Sequence, residues 1–168
     1  MKLLLWPIFT IALYAVQTSW FHFFNTTQSP DLLLIFILLV ALEQGGKGGA
    51  LMGFGIGALQ DVVTFSFFGY HIITRMLLGI MVGAIRGNIF KDQLPTFLVL
   101  TAIASTVVKV IHLIFLMLYQ GAFLSVGPFI IDMLKYVGWN VICAIPMWIG
   151  SKVYVEIMRR RERRYYRM

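Results

Sequence analysis

The sequence predicts an all-α integral membrane protein with six transmembrane helices. Three observations predict it. Of 168 residues, 60% are hydrophobic and only 12% charged, where ordinary soluble domains carry about 25% charged residues. The apolar residues gather into six runs, 3–24, 31–43, 48–68, 70–85, 94–119 and 128–155. Lysines and arginines fall in alternate connections between those runs, the asymmetry that orients a chain in a membrane.

The first run, 3–24, is roughly 33 Å long as a helix, enough to span. Lys2 followed by Leu3–Leu5 imitates a secretory signal. The run is too long for the apolar part of one, so an uncleaved first helix is expected. The second run, 31–43, is only about 20 Å long if helical. Its start is well marked by Ser29-Pro30-Asp31: a capping hydroxyl, a proline in the first turn, and a carboxylate at the positive end of the helix dipole. The third run is rich in glycine, and the fourth follows after a short turn. The fifth and sixth exceed the hydrocarbon thickness and must tilt or emerge. Pro95 and Pro128 open these two runs. Pro146 lies inside the sixth, has no N–H to donate to the Ile142 carbonyl, and is expected to kink the helix.

Orientation follows from charge. Lys2 precedes the first run, Lys47 falls between the second and third, Arg86 and Lys91 between the fourth and fifth, and "RRRERRYYRM" ends the chain. The connections "NTTQSP", "FGYH" and "QGAFLSVG" hold no Lys or Arg. The expectation is therefore six crossings with both termini cytoplasmic, organised as a transmembrane domain over 1–158 and a basic cytoplasmic tail over 159–168. If the short second run is re-entrant instead, every later connection changes sides, which the alternating charge opposes. Arg159, Arg160, Arg161, Arg163 and Arg164 serve as a topology anchor and are candidates for anionic lipid headgroups.

Gly49, Gly53 and Gly57 recur every fourth residue, and Gly79, Gly83 and Gly87 do the same. In lipid, helices associate by close contact, and small residues at that spacing permit it. The two stripes either pack within the chain or receive a helix of another protein. Both remain open from the sequence.

Charged residues inside apolar runs usually face the bundle interior and find partners. Asp61, Arg75, Lys109, Asp132 and Lys135 are of this kind, with Gln60 beside the first and His112 one turn from Lys109. By residue count, Asp61 and Arg75 lie at similar depth, and Lys135, sharing a face with Asp132, competes for Asp61. These groups act either as interhelical clamps or as a transport path.

Several chemistries are excluded. "GGKGGALM" lacks the Ser or Thr of a phosphate loop, and "GFGIG" lacks the spacing of a dinucleotide site. There is no Gly-x-Ser-x-Gly and no His-Glu-x-x-His. His22, His71 and His112 have no ligand-spaced neighbours. The lone Cys143 precludes an internal disulfide. No enzyme activity, cofactor, metal or nucleic-acid partner is expected.

"PDLLLIFILLVAL", a basic glycine turn, and "GALMGFGIGALQDVVTFSFFGYHIITRMLLGIMVG" together resemble the rod shape-determining protein MreD family of bacteria. The resemblance rests on Pro30-Asp31, on Gly49, Gly53, Gly57, Gln60 and Asp61 in a Gly-x-x-x-Gly-x-x-x-Gly-x-x-Gln-Asp pattern, on Gly69 eight residues later, and on Gly79 and Gly83. It implies a non-enzymatic scaffold of the cell-elongation machinery (elongasome) in the bacterial inner membrane. It also implies an MreC-like single-pass partner and, through it, RodA, a class B penicillin-binding protein and MreB filaments of peptidoglycan synthesis. Similar proteins share the fold of the substrate-binding subunits of energy-coupling-factor vitamin importers. That likeness supplies the rival reading, a vitamin-binding transporter subunit.

Overall fold

A computed structural model describes residues 9–19, 29–64, 67–87, 93–120 and 126–165, with side chains at all of these except 120, 126 and 158–165. The described residues are helical, with no strand among them. In order they form α1 (9–19), α2 (Leu32–Gln44), α3 (Gly46–Thr64), α4 (Tyr70–Ile85), α5 (Leu94–Gln120) and α6 (Val126–Tyr165). Two segments, Leu94–Tyr119 and Gly127–Ile157, are long and apolar enough to cross a membrane.

α2 is the core. Every residue from Leu32 to Leu42 is buried, and Leu33, Leu34, Ile35, Ile37 and Leu38 are fully enclosed. A helix apolar on all sides has no face for water and must be covered on all sides. α3, α4, α5 and α6 all contact it, and Phe9 of α1 meets Phe36 edge-on with ring centroids 5.0 Å apart. The outer faces are apolar as well. Leu51 and Phe54 on α3, Leu77 and Met81 on α4, Ile103 and Ile114 on α5, and Leu134 and Ile142 on α6 are all exposed.

The basic glycine turn is tighter than its sequence suggests. One residue, Gly45, connects α2 to α3, with φ of +84°, a conformation open to glycine at little steric cost. Lys47 therefore lies in the first turn of α3 rather than in a connection. Arg86 Nη1 donates to the Glu43 carbonyl at 2.9 Å, and Lys152 Nζ approaches Glu43 Oε1 at 3.4 Å. These two contacts tie the end of α2 to the neighbourhoods of α4 and α6.

α3 and α4 pack against each other along their length. The glycines are the reason. A methyl group on Gly49 would sit 2.8 Å from the Gly79 carbonyl carbon, and one on Gly53 would sit 2.6 Å from the Arg75 carbonyl carbon. On Gly57 it would meet Ile72 Cα at 2.5 Å, and on Gly79 the Ala50 nitrogen at 3.1 Å. Gly83 abuts Gly45 and Gly46. Of the two readings open for the stripes, Gly49, Gly53, Gly57, Gly79 and Gly83 take the one in which they pack within the chain, not the one in which they dock another helix. Their stripes are turned on each other and are already filled. Gly87 is outside the contact, with nothing within 4 Å of its would-be Cβ.

α6 continues through Pro146 and on to Tyr165. The backbone at Arg159, Arg160, Arg161, Arg163 and Arg164 is thus helical, while their side chains lie outside the described residues.

Candidate functional site

Pro30 and Asp31 begin α2 well inside the fold. The Asp31 side chain caps the helix, accepting from the Leu34 amide at 2.9 Å. The same carboxylate is 6% exposed and is the hub of a buried network. Arg75 Nη2 of α4 donates to Asp31 Oδ2 at 2.7 Å, and the Tyr136 hydroxyl of α6 donates to that oxygen at 3.2 Å. The Asp31 amide donates to Asn140 Oδ1 at 2.6 Å, and Asn140 Nδ2 donates to Ser105 Oγ of α5 at 2.8 Å. The carboxylate joins α2, α4 and α6, and α5 is tied in through Asn140 and the Asp31 amide. Removing one partner of such a buried pair typically costs about 3–5 kcal/mol, because the other charge is left uncompensated.

Asp61 has a different partner from the one expected. Its carboxylate closes the start of α4, accepting from the backbone amides of Gly69 (2.8 Å), His71 (3.0 Å) and Ile72 (3.2 Å). His71 Nδ1 adds a fourth contact at 2.8 Å. The first N–H groups of a helix have no partner within it, and the helix dipole favours a negative charge there. An aspartate from the preceding helix meets both needs. Gly69, at φ of +105°, makes the turn that aims those amides at Asp61.

The expected pairing of Asp61 with Arg75 or Lys135 is therefore corrected. Neither depth nor azimuth matches: Asp61 sits at the head of α4, whereas the Arg75 backbone abuts Gly53, further back along α3, and the Arg75 side chain turns toward α2. Lys135 is exposed and Asp132 half-buried, and neither forms an ion pair among the described residues. Of the expected network, Gln60 and Arg75 come together at the cavity below, Asp61 adjoins it through His71, Asp132 acts electrostatically on Lys109 in its wall, and Lys135 does not take part.

A cavity of about 300 Å³ lies over the start of α2, lined among others by Asp31, Gln60, Tyr70, Arg75, Lys109 and His112. α2 explains it. The helix is about 20 Å long, a third short of a hydrocarbon core of about 30 Å, so side chains of the longer helices close over its first turn. Arg75 Nε and Nη1, Gln60 Oε1 and the Tyr70 hydroxyl are buried there with no hydrogen-bond partner among the described residues. Lys109 Nζ sits 4.7 Å above the Tyr136 ring. The Tyr70 ring packs between Phe115 (4.9 Å) and His71 (4.9 Å) and near His112 (5.8 Å). Sequence reasoning missed Asp31 as a hub, together with Tyr136, Asn140, Ser105 and Tyr70. Polar residues within apolar runs, Ser105 and Asn140 above all, carried the available signal. No group of metal-ligating side chains occurs among the described residues.

A family model described as rod shape-determining protein MreD matches residues 1–157. No curated protein and no solved structure matches the chain.

Proposed function

The chain belongs to the MreD family of membrane proteins that determine rod shape, and we propose that it acts there as a non-enzymatic scaffold for an MreC-like single-pass partner. The observation that carries this reading is the family match across 1–157. In this reading all six helices lie in the inner membrane with both termini cytoplasmic, in the manner of the importer subunits. The transmembrane domain covers 1–158, and the arginines of 159–168 face anionic lipid. Through its partner the scaffold organises RodA, a class B penicillin-binding protein and MreB around peptidoglycan synthesis.

The docking face is assigned to α6. The glycine stripes of α3 and α4 are occupied by each other. On α6, by contrast, Ile131, Leu134, Lys135, Gly138 and Ile142 are all exposed, and nothing lies within 4 Å of a Cβ added at Gly138. A lysine facing lipid within an apolar helix is costly, and a partner that supplies a polar contact to Lys135 offsets that cost. A glycine at the centre of the face allows close approach. The test is co-purification from membranes with the MreC-like protein. Gly138→Leu should reduce capture roughly five- to hundredfold if it costs about 1–3 kcal/mol at the contact, with expression unchanged. Equal capture by both forms would remove α6 as the docking face, and no capture by the wild type would remove the scaffold reading.

The polar cavity favours a second reading, the substrate-binding subunit of a vitamin importer. A chain that captures no MreC-like partner but retains a vitamin through purification would support it.

A further inference from the structure

We infer that the cavity over the start of α2 binds an uncharged polyhydroxy compound, a small polyol or single sugar, free or as the headgroup of a glycolipid. The cavity shares no residue with the docking face proposed on α6, so the inference stands apart from the scaffold reading; in the importer reading it names the ligand class of that same site. Charge comes first, and it is balanced. The two cations of the lining, Arg75 and Lys109, face two carboxylates. Arg75 donates to Asp31 at 2.7 Å, and Lys109 feels both Asp132 and Asp31 and lies over the Tyr136 ring. The Asp61 carboxylate beside the wall is held by His71 and by three amides at the positive end of the α4 dipole. A charged ligand would leave water for a site with no opposite charge left to offset its own, which is costly. A neutral one carries no such penalty.

Hydrogen bonding narrows the class. Arg75 is 4% exposed, and its Nε and Nη1 have no acceptor among the described residues. Gln60 is 5% exposed, and its Oε1 has no donor among them. The Thr74 hydroxyl spends its one proton on the Tyr70 carbonyl at 2.7 Å, and the Thr18 hydroxyl spends its own on carbonyls of α1, so toward the cavity both can only accept. The ligand must therefore accept from Arg75 and donate to acceptors on α1, α3 and α4. A carboxamide donates from one end alone. Hydroxyl groups spread along a short carbon chain or ring donate to each wall and accept from the guanidinium. The Tyr70 hydroxyl, also without a partner among the described residues, takes either role. Size narrows the class further. A volume of about 300 Å³ is the share of roughly ten water molecules, close to the number of non-hydrogen atoms in a pentitol and too small for a disaccharide. Thr18 and Thr64, which also line the cavity, are exposed, so it opens between the ends of α1 and α3.

The test uses the full chain, in a detergent without a sugar headgroup (which would itself compete) and in nanodiscs. Equilibrium dialysis and thermal unfolding are read with ribitol, with choline as a cation and glycerol 3-phosphate as an anion of similar size. Nanodiscs of phosphatidylcholine, with and without monoglucosyl diacylglycerol, are read by native mass spectrometry. Saturable binding of ribitol or of the glycolipid, without binding of choline or glycerol 3-phosphate, is expected. Binding of ribitol alone identifies a free compound, of the glycolipid alone a lipid headgroup, and of both the shared chemistry. Gln60→Leu and Thr74→Val each remove one acceptor, and each should weaken binding about fivefold, the loss of one hydrogen bond to an uncharged group. Thr74→Val keeps the shape of the side chain, so it reports on binding even if Gln60→Leu fails to fold. Binding of neither polyhydroxy compound by the wild type, binding of either ion as tightly as ribitol, or equal binding by the wild type and the folded variants would overturn the inference. A charged or aromatic vitamin retained where ribitol is not would also overturn it, while leaving the importer reading standing.

Discussion

Two glycines of α3 lie two residues apart and should respond oppositely to the same methyl group. Gly55 is exposed, with nothing within 4 Å of an added Cβ. Gly53 is buried, and its added Cβ would stand 2.6 Å from the Arg75 carbonyl carbon and 2.8 Å from the Met76 nitrogen. These are backbone atoms of α4 that cannot rotate away. The nearest atom is the Arg75 carbonyl oxygen, and restoring an ordinary contact of 3.4 Å to it requires the helices to part by about 1 Å. Overpacking of that kind costs about 1–3 kcal/mol. The opposing gain, replacing a helix-interior glycine by alanine, is about 0.5–1 kcal/mol. Gly55→Ala should therefore stabilise by about 0.5–1 kcal/mol, whereas Gly53→Ala should destabilise by up to about 2 kcal/mol. Cys143 provides the assay. It is the one cysteine of the chain and is 8% exposed, so a thiol-reactive dye reports unfolding on heating. Equal unfolding temperatures for the two variants would refute the close α3–α4 contact.

The ion pairs give further expectations. Arg75→Met should destabilise by about 3–5 kcal/mol by leaving Asp31 buried and uncompensated, and adding Asp31→Asn should recover part of that loss; additive losses in thermal unfolding would contradict the pairing. Asp61→Leu removes every acceptor at the head of α4 and should cost about 2–3 kcal/mol by the same assay. Asp61→Asn keeps one acceptor oxygen and should cost less. A reporter fused after Met168 should be active only in the cytoplasm; activity outside would reverse the proposed orientation.

How much of this was legible depends on the kind of information each segment carries. The run 70–85 has clear ends, and α4 has the same bounds. The run 31–43 is apolar at every position, and such a run of 10–14 residues suits a buried core helix better than a span. Its uniformity also hid the packing. Helix depth counted at 1.5 Å per residue put Asp61 and Arg75 at similar height, but the run read as 48–68 ends as a helix at Thr64, so Asp61 meets the head of α4 while Arg75 backs onto Gly53, further along α3. Azimuth needs a contrast between faces, and the leucines and isoleucines of α2 offer none. The partner of Arg75 was thus missed, although Asp31 stood at the start of that helix. The glycine stripes could be seen, but not what they face. Their meeting follows from the short connection at 65–69, which brings α3 and α4 side by side. The cavity was not legible at all, since it arises from a helix too short to fill the space between longer neighbours.

The scaffold proposal is tested most directly by photo-crosslinking in intact cells. A photoreactive amino acid is placed at Ile142, on the proposed docking face of α6, and separately at Leu77, which is equally apolar and exposed on α4. Crosslinking of the MreC-like protein's transmembrane helix from residue 142, and not from residue 77, is the predicted result. Capture from residue 77 alone, or from neither position while the two proteins are both present in the membrane, would contradict it.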